Sequence, residues 1–401
     1  MLRPTTEVLI VGAGPTGLAL AITLQRERID HILIDTLPVG QNTSRAAVIH
    51  AHTLEMLDEL GVSTRLVDEG LKLTTFSIRD RDRVLVQLPF GNLPTAHPYL
   101  LMLPQDMTER ILADQLVALG GAIHRGFTAT ELRHEATAVQ VAVTSDGGPH
   151  SIAARYVVGA DGMHSMVRTA TGTQFTGTTY EESFVLADVS MKWSHGRDQV
   201  MLFFSPAGLL VVAPLPNGTF RLVATLEDAP EHPNVADMQT LIDARGPTTG
   251  VATVTDVIWS SRFRLHHRLV NSYRKDRLFL MGDAAHVHSP AGGQGMNTGL
   301  VDACVLGRLL AAVVSGKQPE VALDQYQTLR RPAAEQVLRL AGRLTHFAIL
   351  QSPVKRQLRN AMFSLINHLS FVKHALAMNL SGLSRRQHAQ IPHLSVSKAP
   401  H

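Results

Sequence analysis

The sequence predicts an α/β fold in which a parallel sheet of short strands carries an inserted, mostly antiparallel sheet and is followed by helices. Three observations support this. Short apolar runs end directly in glycine, which is typical of buried parallel strands. Residues 73–97 and 183–265 alternate as half-buried strands do, between turns such as Ser-Pro-Ala-Gly and Leu-Pro-Asn-Gly. After Gly295 the pattern is helical to the end of the chain.

The chain begins with a strand–helix–strand unit. Residues 8–11 are wholly apolar and meet Gly12 at once, residues 18–24 predict a helix, and residues 31–34 predict a second buried strand that ends at Asp35. Because the connection is short and helical, the two strands are expected to lie parallel in one sheet.

The loop between the first strand and its helix has the spacing of a dinucleotide-binding turn, Gly12-Ala13-Gly14-Pro15-Thr16-Gly17. Gly12 permits the tight turn, Gly14 lets a pyrophosphate approach the backbone, and Gly17 lets the helix pack on the strand. The start of the helix offers free N–H groups to phosphates. Asp35, with Thr36 beside it, stands where a carboxylate accepts hydrogen bonds from ribose hydroxyls. A glycine turn without a ligand is the alternative, and the motif alone does not distinguish FAD from NAD.

Two more buried strands follow further along the chain. Residues 155–158 lead into Gly159-Ala160-Asp161-Gly162, and a run from Arg277 ends in Gly282-Asp283, before a Gly/Pro-rich loop and a helix that begins near Gly295. We therefore predict a nucleotide-binding domain made of residues 1–72, 98–182 and 266–340. The antiparallel sheet that interrupts it, and that we expect to bind the substrate, takes residues 73–97 and 183–265.

Residues 341–401 form a basic helical segment with eight Lys or Arg and no Asp or Glu. Either its cations face solvent from helices packed on the rest of the chain, or they touch acidic lipid or an acidic partner. Beyond Ser352-Pro353 the spacing predicts one helix that closes near Gly382. Its apolar stripe is formed by Leu358, Met362, Leu365, Leu369, Val372 and Leu376.

Composition excludes several classes of protein. The chain has 401 residues, with 37 basic and 34 acidic side chains and a net charge of +3, so nothing global indicates nucleic acid. The single cysteine, Cys304, excludes a disulfide framework, a CxxC redox pair and a cysteine-based zinc site. No apolar run approaches the roughly 20 residues of a membrane span, and the N-terminus is unlike a secretory signal. We expect a cytoplasmic protein without a metal site.

The segment from Gly282 to Asn297 resembles a motif of one enzyme family. It carries Gly282-Asp283-Ala284-Ala285-His286, Pro290 and Gly293-Gln294-Gly295-Met296-Asn297. The chain thereby resembles the class A flavoprotein monooxygenases of the p-hydroxybenzoate hydroxylase family, in which this motif lines the ribityl chain and the flavin ring. The resemblance implies a Rossmann-like FAD-binding domain with an inserted β-sheet substrate domain and C-terminal helices.

The resemblance also implies further site residues. The segment after residue 158 is similar to a second family motif, tied to FAD and to NAD(P)H. Asp161 is expected to contact FAD, and His164 and Arg168 to contact NAD(P)H. Arg45 and Gln105 fall at family positions that touch FAD.

The chemistry of the residues agrees with the motif. Asp283 can accept hydrogen bonds from ribityl hydroxyls, and the N–H groups of Gly295, Met296 and Asn297 can stabilise negative charge on a reduced flavin. The alternative is a structural turn in which Asp283 only caps a helix.

The resemblance implies a reaction. In this family NAD(P)H reduces FAD, O₂ adds to give a flavin C4a-hydroperoxide, and one oxygen atom passes to an electron-rich ring. With no second GxGxxG sequence, NADH or NADPH is expected to visit transiently. His286 and His288 stand near the flavin motif, but no catalytic base is assigned. The alternatives are an epoxidase, another FAD oxidoreductase, or a flavin-binding module without activity.

The partner is expected to be a small aromatic substrate that lies between the flavin and one face of the antiparallel sheet. Phe203, Leu210 and Val212 are predicted to form part of that wall, although strand alternation alone does not say which face is which. The oligomeric state is left open.

Overall fold

The computed structural model describes residues 2–40, 46–226, 230–289, 292–348, 350 and 352–392, apart from the side chains of residues 179–182, 264–265 and 348. Its strands are β1 Thr5–Val11, β2 His31–Asp35, β3 Val48–Ile49, β4 Leu71–Leu73, β5 Thr75–Asp80, β6 Arg83–Pro89, β7 Leu100–Met102, β8 Ile123–Arg125, β9 Thr128–His134, β10 Val139–Ser145, β11 Gly148–Gly159, β12 Phe175–Trp193, β13 Gln199–Ser205, β14 Gly208–Pro214, β15 Phe220–Leu226, β16 Ala252–Val270, β17 Arg274–Lys275, β18 Leu278–Leu280 and β19 His286–Val287.

The helices lie between and after these strands. They are α1 Pro15–Arg26, α2 Ala51–Asp58, α3 Ser63–Glu69, α4 Gln105–Ala118, α5 Met166–Thr171, α6 Val235–Arg245, α7 Gly295–Val314, α8 Gln325–Ala348, α9 Pro353–Asn367 and α10 Ser370–Leu380, with short 3-10 helices at Gly282–Ala284, Glu320–Asp324 and Leu383–Ala389.

The first sheet has the strand order β17-β18-β11-β1-β2-β8, and β9 and β10 extend it beside β11. β1 pairs in parallel with β2 on one side and with β11 on the other, and β18 continues the parallel set beside β11. Val11 stands opposite Ile34 and Gly159, so the predicted strands end at one edge. The predicted α/β class is confirmed, because the apolar runs are buried parallel strands as their composition indicates.

The second sheet has eight strands in the order β19-β16-β12-β15-β14-β13-β5-β6 and is antiparallel except for the β13–β5 pair. β12 and β16 have 19 residues each and pair along their whole length. The expected divisions after residues 182 and 265 fall inside these strands, and the one after residue 340 falls inside α8. The parts of the chain are therefore joined by continuous elements, which a change in composition does not reveal.

The two faces of the second sheet have different neighbours. Phe203 on β13, with Leu210 and Val212 on β14, packs into an apolar cluster with Met238, Leu241 and Ile242 of α6. The alternate side chains point to the other face, where a cavity of about 860 Å³ lies against the ends of the first sheet's parallel strands. The prediction that Phe203, Leu210 and Val212 line a substrate wall was wrong, because successive side chains of a strand point to opposite faces. The cavity face belongs to Val200, Leu202, Leu209, Val211 and Ala213.

The C-terminal segment forms two helices where one was predicted. α9 ends at Asn367 and α10 begins at Ser370. Leu358 and Leu365 of the predicted stripe are 71% and 62% exposed, while Phe363 faces the core. The α9 part of the stripe therefore faces solvent, whereas Leu369, Val372 and Leu376 are half-buried and Leu376 packs against an apolar core cluster.

α7 is the central helix of the fold. It has 20 residues and is apolar enough to cross a membrane by length and composition, but 89% of its most apolar stretch is buried inside the protein. Gly307 lets it pack closely on α1, since a Cβ there would lie 2.6 Å from Thr23 Cγ2. Burial on all sides explains why this helix lacks a polar face.

Phe203 offers a test of the two-faced sheet. Its side chain is fully buried beneath α6, so Phe203→Ala is expected to lower the free energy of unfolding by about 3–5 kcal/mol. Phe371→Ala is the matched control, since Phe371 is 72% exposed, and its effect should stay within about 0.5 kcal/mol. Urea unfolding followed by circular dichroism measures both, and equal effects of the two substitutions would contradict this packing.

Candidate active site

One cavity is lined by residues from distant parts of the chain. It lies at the carboxyl edge of the parallel strands, where ligands bind in open α/β sheets, and it extends to the apolar face of the second sheet. The predicted residues that line it are Gly12, Gly14, Pro15, Thr16, Asp35, Thr36, Gln105, Asp161, His164, Asp283, Gly293, Gly295 and Met296. Arg45 and Pro290 lie outside the described residues.

The glycine loop between β1 and α1 brings backbone groups together. A Cβ on Gly17 would lie 1.9 Å from the carbonyl oxygen of Gly12, and one on Gly12 would lie 2.4 Å from the carbonyl oxygen of Ala160. A Cβ on Gly14, by contrast, would meet no atom within 4 Å. Gly12 and Gly17 are therefore needed for backbone packing, whereas Gly14 leaves open space at the cavity.

Asp35 joins the glycine loop to the end of β2. Its Oδ2 accepts the N–H of Ala13 at 2.6 Å, and its Oδ1 accepts the N–H of Leu37 at 2.8 Å. Each carboxylate oxygen has a second acceptor position. Asp35 thus fixes the loop and can still accept a hydrogen bond from a group in the cavity.

The loop after β11 is held by Asp161 and Arg168. Asp161 Oδ2 accepts the N–H groups of Met166 and Val167 at the start of α5, at 2.8 and 3.1 Å, and burial raises the pKa of this carboxyl group. Arg168 donates to the carbonyl oxygens of Met163 and Ala284, at 2.6 and 3.0 Å, and is not among the residues that line the cavity. Arg168 thus joins the loops after β11 and β18, a role that the sequence did not indicate.

A buried ion cluster supports the loop after β18. Asp302 of α7 accepts from His286 Nε2 and from Arg330 Nε, each at 2.7 Å, and from the N–H of Gly282 at 3.3 Å. Burial alone would raise the pKa of Asp302, but Arg330 and His286 hold it below its usual value. His286 is completely buried in this cluster and does not line the cavity, so it is excluded as a base that touches a substrate.

The start of α7 opens onto the cavity. Gly295 and Met296 line the cavity, and no hydrogen bond among the described residues uses their N–H groups or that of Asn297. The side chain of Asn297 is turned away, accepting the N–H of His50 at 2.8 Å and donating to the carbonyl oxygens of Val48 and Gly293. The helix therefore presents unpaired donors and its positive end to whatever lies in the cavity.

Polar side chains also line the part of the cavity next to the second sheet, and of these Arg221 was not predicted from the sequence. Arg221 donates from Nε and Nη2 to the two oxygens of Asp188, at 2.7 and 2.8 Å, and from Nη1 to the carbonyl oxygen of Ala46. His288 donates from Nδ1 to the carbonyl oxygen of Ser289, and burial lowers its pKa to about 4, so its ring is neutral at pH 7. Both residues line the cavity, and an isolated arginine within a strand gives no signal of such a role.

Comparison with known proteins agrees with this geometry. The family model of an FAD binding domain matches residues 5–341. The chain is 35% identical over 391 residues to 6-methylpretetramide 4-monooxygenase of Streptomyces rimosus, which covers 94% of this chain and 69% of that protein. This chain belongs to the FAD-dependent aromatic monooxygenases.

Other known proteins match this chain in sequence or in fold. Pentachlorophenol 4-monooxygenase of Sphingobium chlorophenolicum is 33% identical, over 82% of this chain and 63% of that one. The solved OxyS anhydrotetracycline hydroxylase of S. rimosus matches with a TM-score of 0.80 and 33% identity, over 94% of this chain and 76% of that one. p-Nitrophenol 4-monooxygenase PnpA of Pseudomonas putida DLL-E4 matches with a TM-score of 0.87 over 96% and 99% of the two chains, but at 24% identity it speaks for the fold alone.

This monooxygenase has a cavity that fits FAD. The open space at Gly14, the carboxylates of Asp35 and Asp283 and the unpaired N–H groups of α7 suit phosphates, hydroxyls and a ring that becomes negative on reduction. Among the described residues, no group of three or more His, Cys, Asp or Glu is placed to hold a metal ion.

The two glycines of the first loop allow the binding role to be separated from the folding role. Gly14→Val is expected to leave the thermal midpoint of the apoprotein within about 2 °C, because its side chain enters open space, and to weaken FAD binding at least tenfold. Gly17→Val is expected to destabilise the apoprotein itself, because its Cβ collides with the carbonyl oxygen of Gly12. Fluorescence titration with FAD and thermal unfolding of the apoproteins measure these effects. Undiminished FAD affinity in Gly14→Val would contradict the assignment.

Proposed function

We propose that this enzyme binds FAD at the glycine-rich end of the cavity and hydroxylates a small aromatic or phenolic compound held against the second sheet. The observation that carries the proposal is the continuity of the cavity. It runs from Gly14 and Asp35, past the unpaired N–H groups of Gly295 and Met296, to the apolar side chains of β13 and β14. A cofactor and its substrate can therefore share one continuous cavity.

Different parts of the cavity suit different parts of FAD. Gly14 and the start of α1 would hold the pyrophosphate, Asp35 the adenosine ribose, Asp283 the ribityl hydroxyls, and Gly295 the pyrimidine edge of the ring. We also assign to the FAD site the predicted residues Gly12, Pro15, Thr16, Gly17, Thr36, Gln105, Asp161, Gly293, Met296 and Asn297. The roles of Arg45 and Pro290 stay predictions.

Bound FAD supplies the redox chemistry, taking electrons from NAD(P)H and activating O₂. The protein's own residues orient the reactants and exclude water. The N–H groups at the start of α7 stabilise negative charge at the ring. The apolar side chains of Val200, Leu202, Leu209 and Val211 keep the substrate end dry, so that activated oxygen is not lost as hydrogen peroxide.

Two observations support an aromatic substrate. Most side chains on the cavity face of the second sheet are apolar, among them Phe76, Phe184 and Phe263, although Arg221, Arg262 and His266 also line it. Relatives are named for 6-methylpretetramide and pentachlorophenol. His288 is a neutral ring beside the cavity whose Nδ1 is already used. Because a buried imidazole with a lowered pKa is a poor proton acceptor, no side chain is assigned as a base.

Oxygen incorporation tests the proposed reaction. The purified holoenzyme is given ¹⁸O₂, NADH or NADPH, and a panel of phenols and fused aromatic phenols. We expect at least one compound to accelerate NAD(P)H oxidation about tenfold or more and to gain one ¹⁸O atom as a hydroxyl group, detected by mass spectrometry. The same assay identifies the preferred donor.

Three outcomes would contradict hydroxylation. An epoxide product would assign the runner-up reaction, and product formation without ¹⁸O would assign a desaturase or reductase. A compound that binds the holoenzyme but leaves NAD(P)H oxidation unchanged and is recovered intact would indicate a binding module. Heat-inactivated holoenzyme is the control for free flavin in solution.

The NAD(P)H contacts, the location in the cell and a membrane contact stay predictions. Contact of His164 with NAD(P)H fits its place at the cavity, whereas the guanidinium of Arg168 is already bonded to two carbonyl oxygens. Contact of residues 341–401 with acidic lipid is favoured by the exposed Val354, Leu358 and Phe371, and binding to anionic vesicles would test it.

A further inference from the structure

Arg385 carries a buried positive charge directly behind the start of α7. It lies in the 3-10 helix Leu383–Ala389 and is 5% exposed. Nη2 donates to Gln294 Oε1 and Nη1 to Asn379 Oδ1, each at 2.9 Å. No carboxylate of the described residues lies within 4 Å of its guanidinium group, so both observed side-chain partners are neutral amides.

The neighbouring charges do not cancel that of Arg385. Asp302, a buried acid of α7, already accepts from Arg330 and His286, and Arg330 repels Arg385. Burial lowers the pKa of Arg385 only to about 10, so it remains charged at pH 7. Arg330 and Arg385 together carry two positive charges against the one negative charge of Asp302.

Water screens this charge poorly. A second cavity of about 20 Å³ lies between Arg385, Arg330, His50 and Gln294. A cavity of this size holds about one water molecule. The field of a charge in such surroundings reaches further than it would at the protein surface.

Gln294 connects Arg385 to the cavity. It directly precedes Gly295, lines the cavity, and donates from Nε2 to the carbonyl oxygens of Leu380 and Gly292, at 2.9 and 3.2 Å. The charge of Arg385 and the positive end of α7 therefore lie on the same side of the cavity wall and act in the same direction.

We propose that Arg385 is a positioning residue that raises the reduction potential of the bound flavin, by adding its charge to the positive end of α7 and by holding Gln294 in place. The proposal rests on the proposed location of the flavin at this end of the cavity. Negative charge that the ring gains on reduction is then stabilised more than the neutral oxidised ring, so reduced FAD is bound more tightly than oxidised FAD.

The potential of the bound flavin tests this inference. In the Arg385→Gln holoenzyme, the preference for reduced over oxidised FAD should fall at least tenfold, which for a two-electron couple is about 30 mV. Arg385→Lys keeps the charge and should stay within about threefold of the wild type. Equilibration with redox dyes under anaerobic conditions measures all the potentials, without any substrate.

Arg386→Gln is the matched control. Arg386 is the next residue in the chain, but it pairs with Glu55 and is one-third exposed, so its loss should leave the potential unchanged. Asn379→Asp keeps Arg385 and places a carboxylate at its Nη1. This variant should lower the preference for reduced FAD at least threefold, and it keeps the test intact where Arg385→Gln does not fold.

The outcomes separate this inference from the proposed function. A folded wild-type protein that binds no FAD would overturn both. If the wild-type holoenzyme has the same potential as Arg385→Gln or Asn379→Asp, the role of Arg385 is overturned and the proposed function is not. The same holds if Arg386→Gln shifts the potential as much as Arg385→Gln does. A lower reduction potential in Arg385→Gln, together with potentials close to that of the wild type in Arg385→Lys and Arg386→Gln, would establish the role of Arg385.

Discussion

The close approach of two backbone segments at Gly12 and Gly17 is the constraint on which the site depends. No side chain fits between them, since a Cβ on Gly17 would lie 1.9 Å from the carbonyl oxygen of Gly12. This contact sets α1 directly on the end of β1, and Gly12 in turn approaches Ala160 at the end of β11. The same parallel register then brings the loops after β2, β11 and β18 to one edge. A cavity at this edge is the geometric result.

Buried charged side chains act on the loops that backbone packing brings to this edge. The loop after β18 rests on the buried Asp302, whose two oxygens accept from His286 and Arg330. A buried carboxylate with two partners fixes the positions of both. Arg385, behind the same helix, has amide partners only, and its charge is free to act on the cavity. Near the start of α7, the paired charges of Asp302 therefore hold the loop after β18, and the unpaired charge of Arg385 is the one that we propose acts on the flavin.

Local signals predicted the parallel strands, the glycine loop and the flavin motif, because each is written in consecutive residues with a strict spacing. The face of a strand is different. Phe203 and Leu202 are both apolar, and only the position of α6 decides which of them is core. Neither residue 368 nor residue 369 is a glycine or proline that would predict the break between α9 and α10. Arg385 lies 91 residues from Gln294, and no pattern in the sequence connects them.

The central claim is that three separated segments hold one cofactor, and hydrogen–deuterium exchange of the apoprotein and the FAD complex tests it most directly. The account predicts that adding FAD slows exchange of backbone amides in residues 12–17, 160–166 and 292–297 together, with one FAD bound per chain. FAD binding that protects the first segment but leaves the amides of Gly295 and Met296 exchanging as in the apoprotein would contradict it.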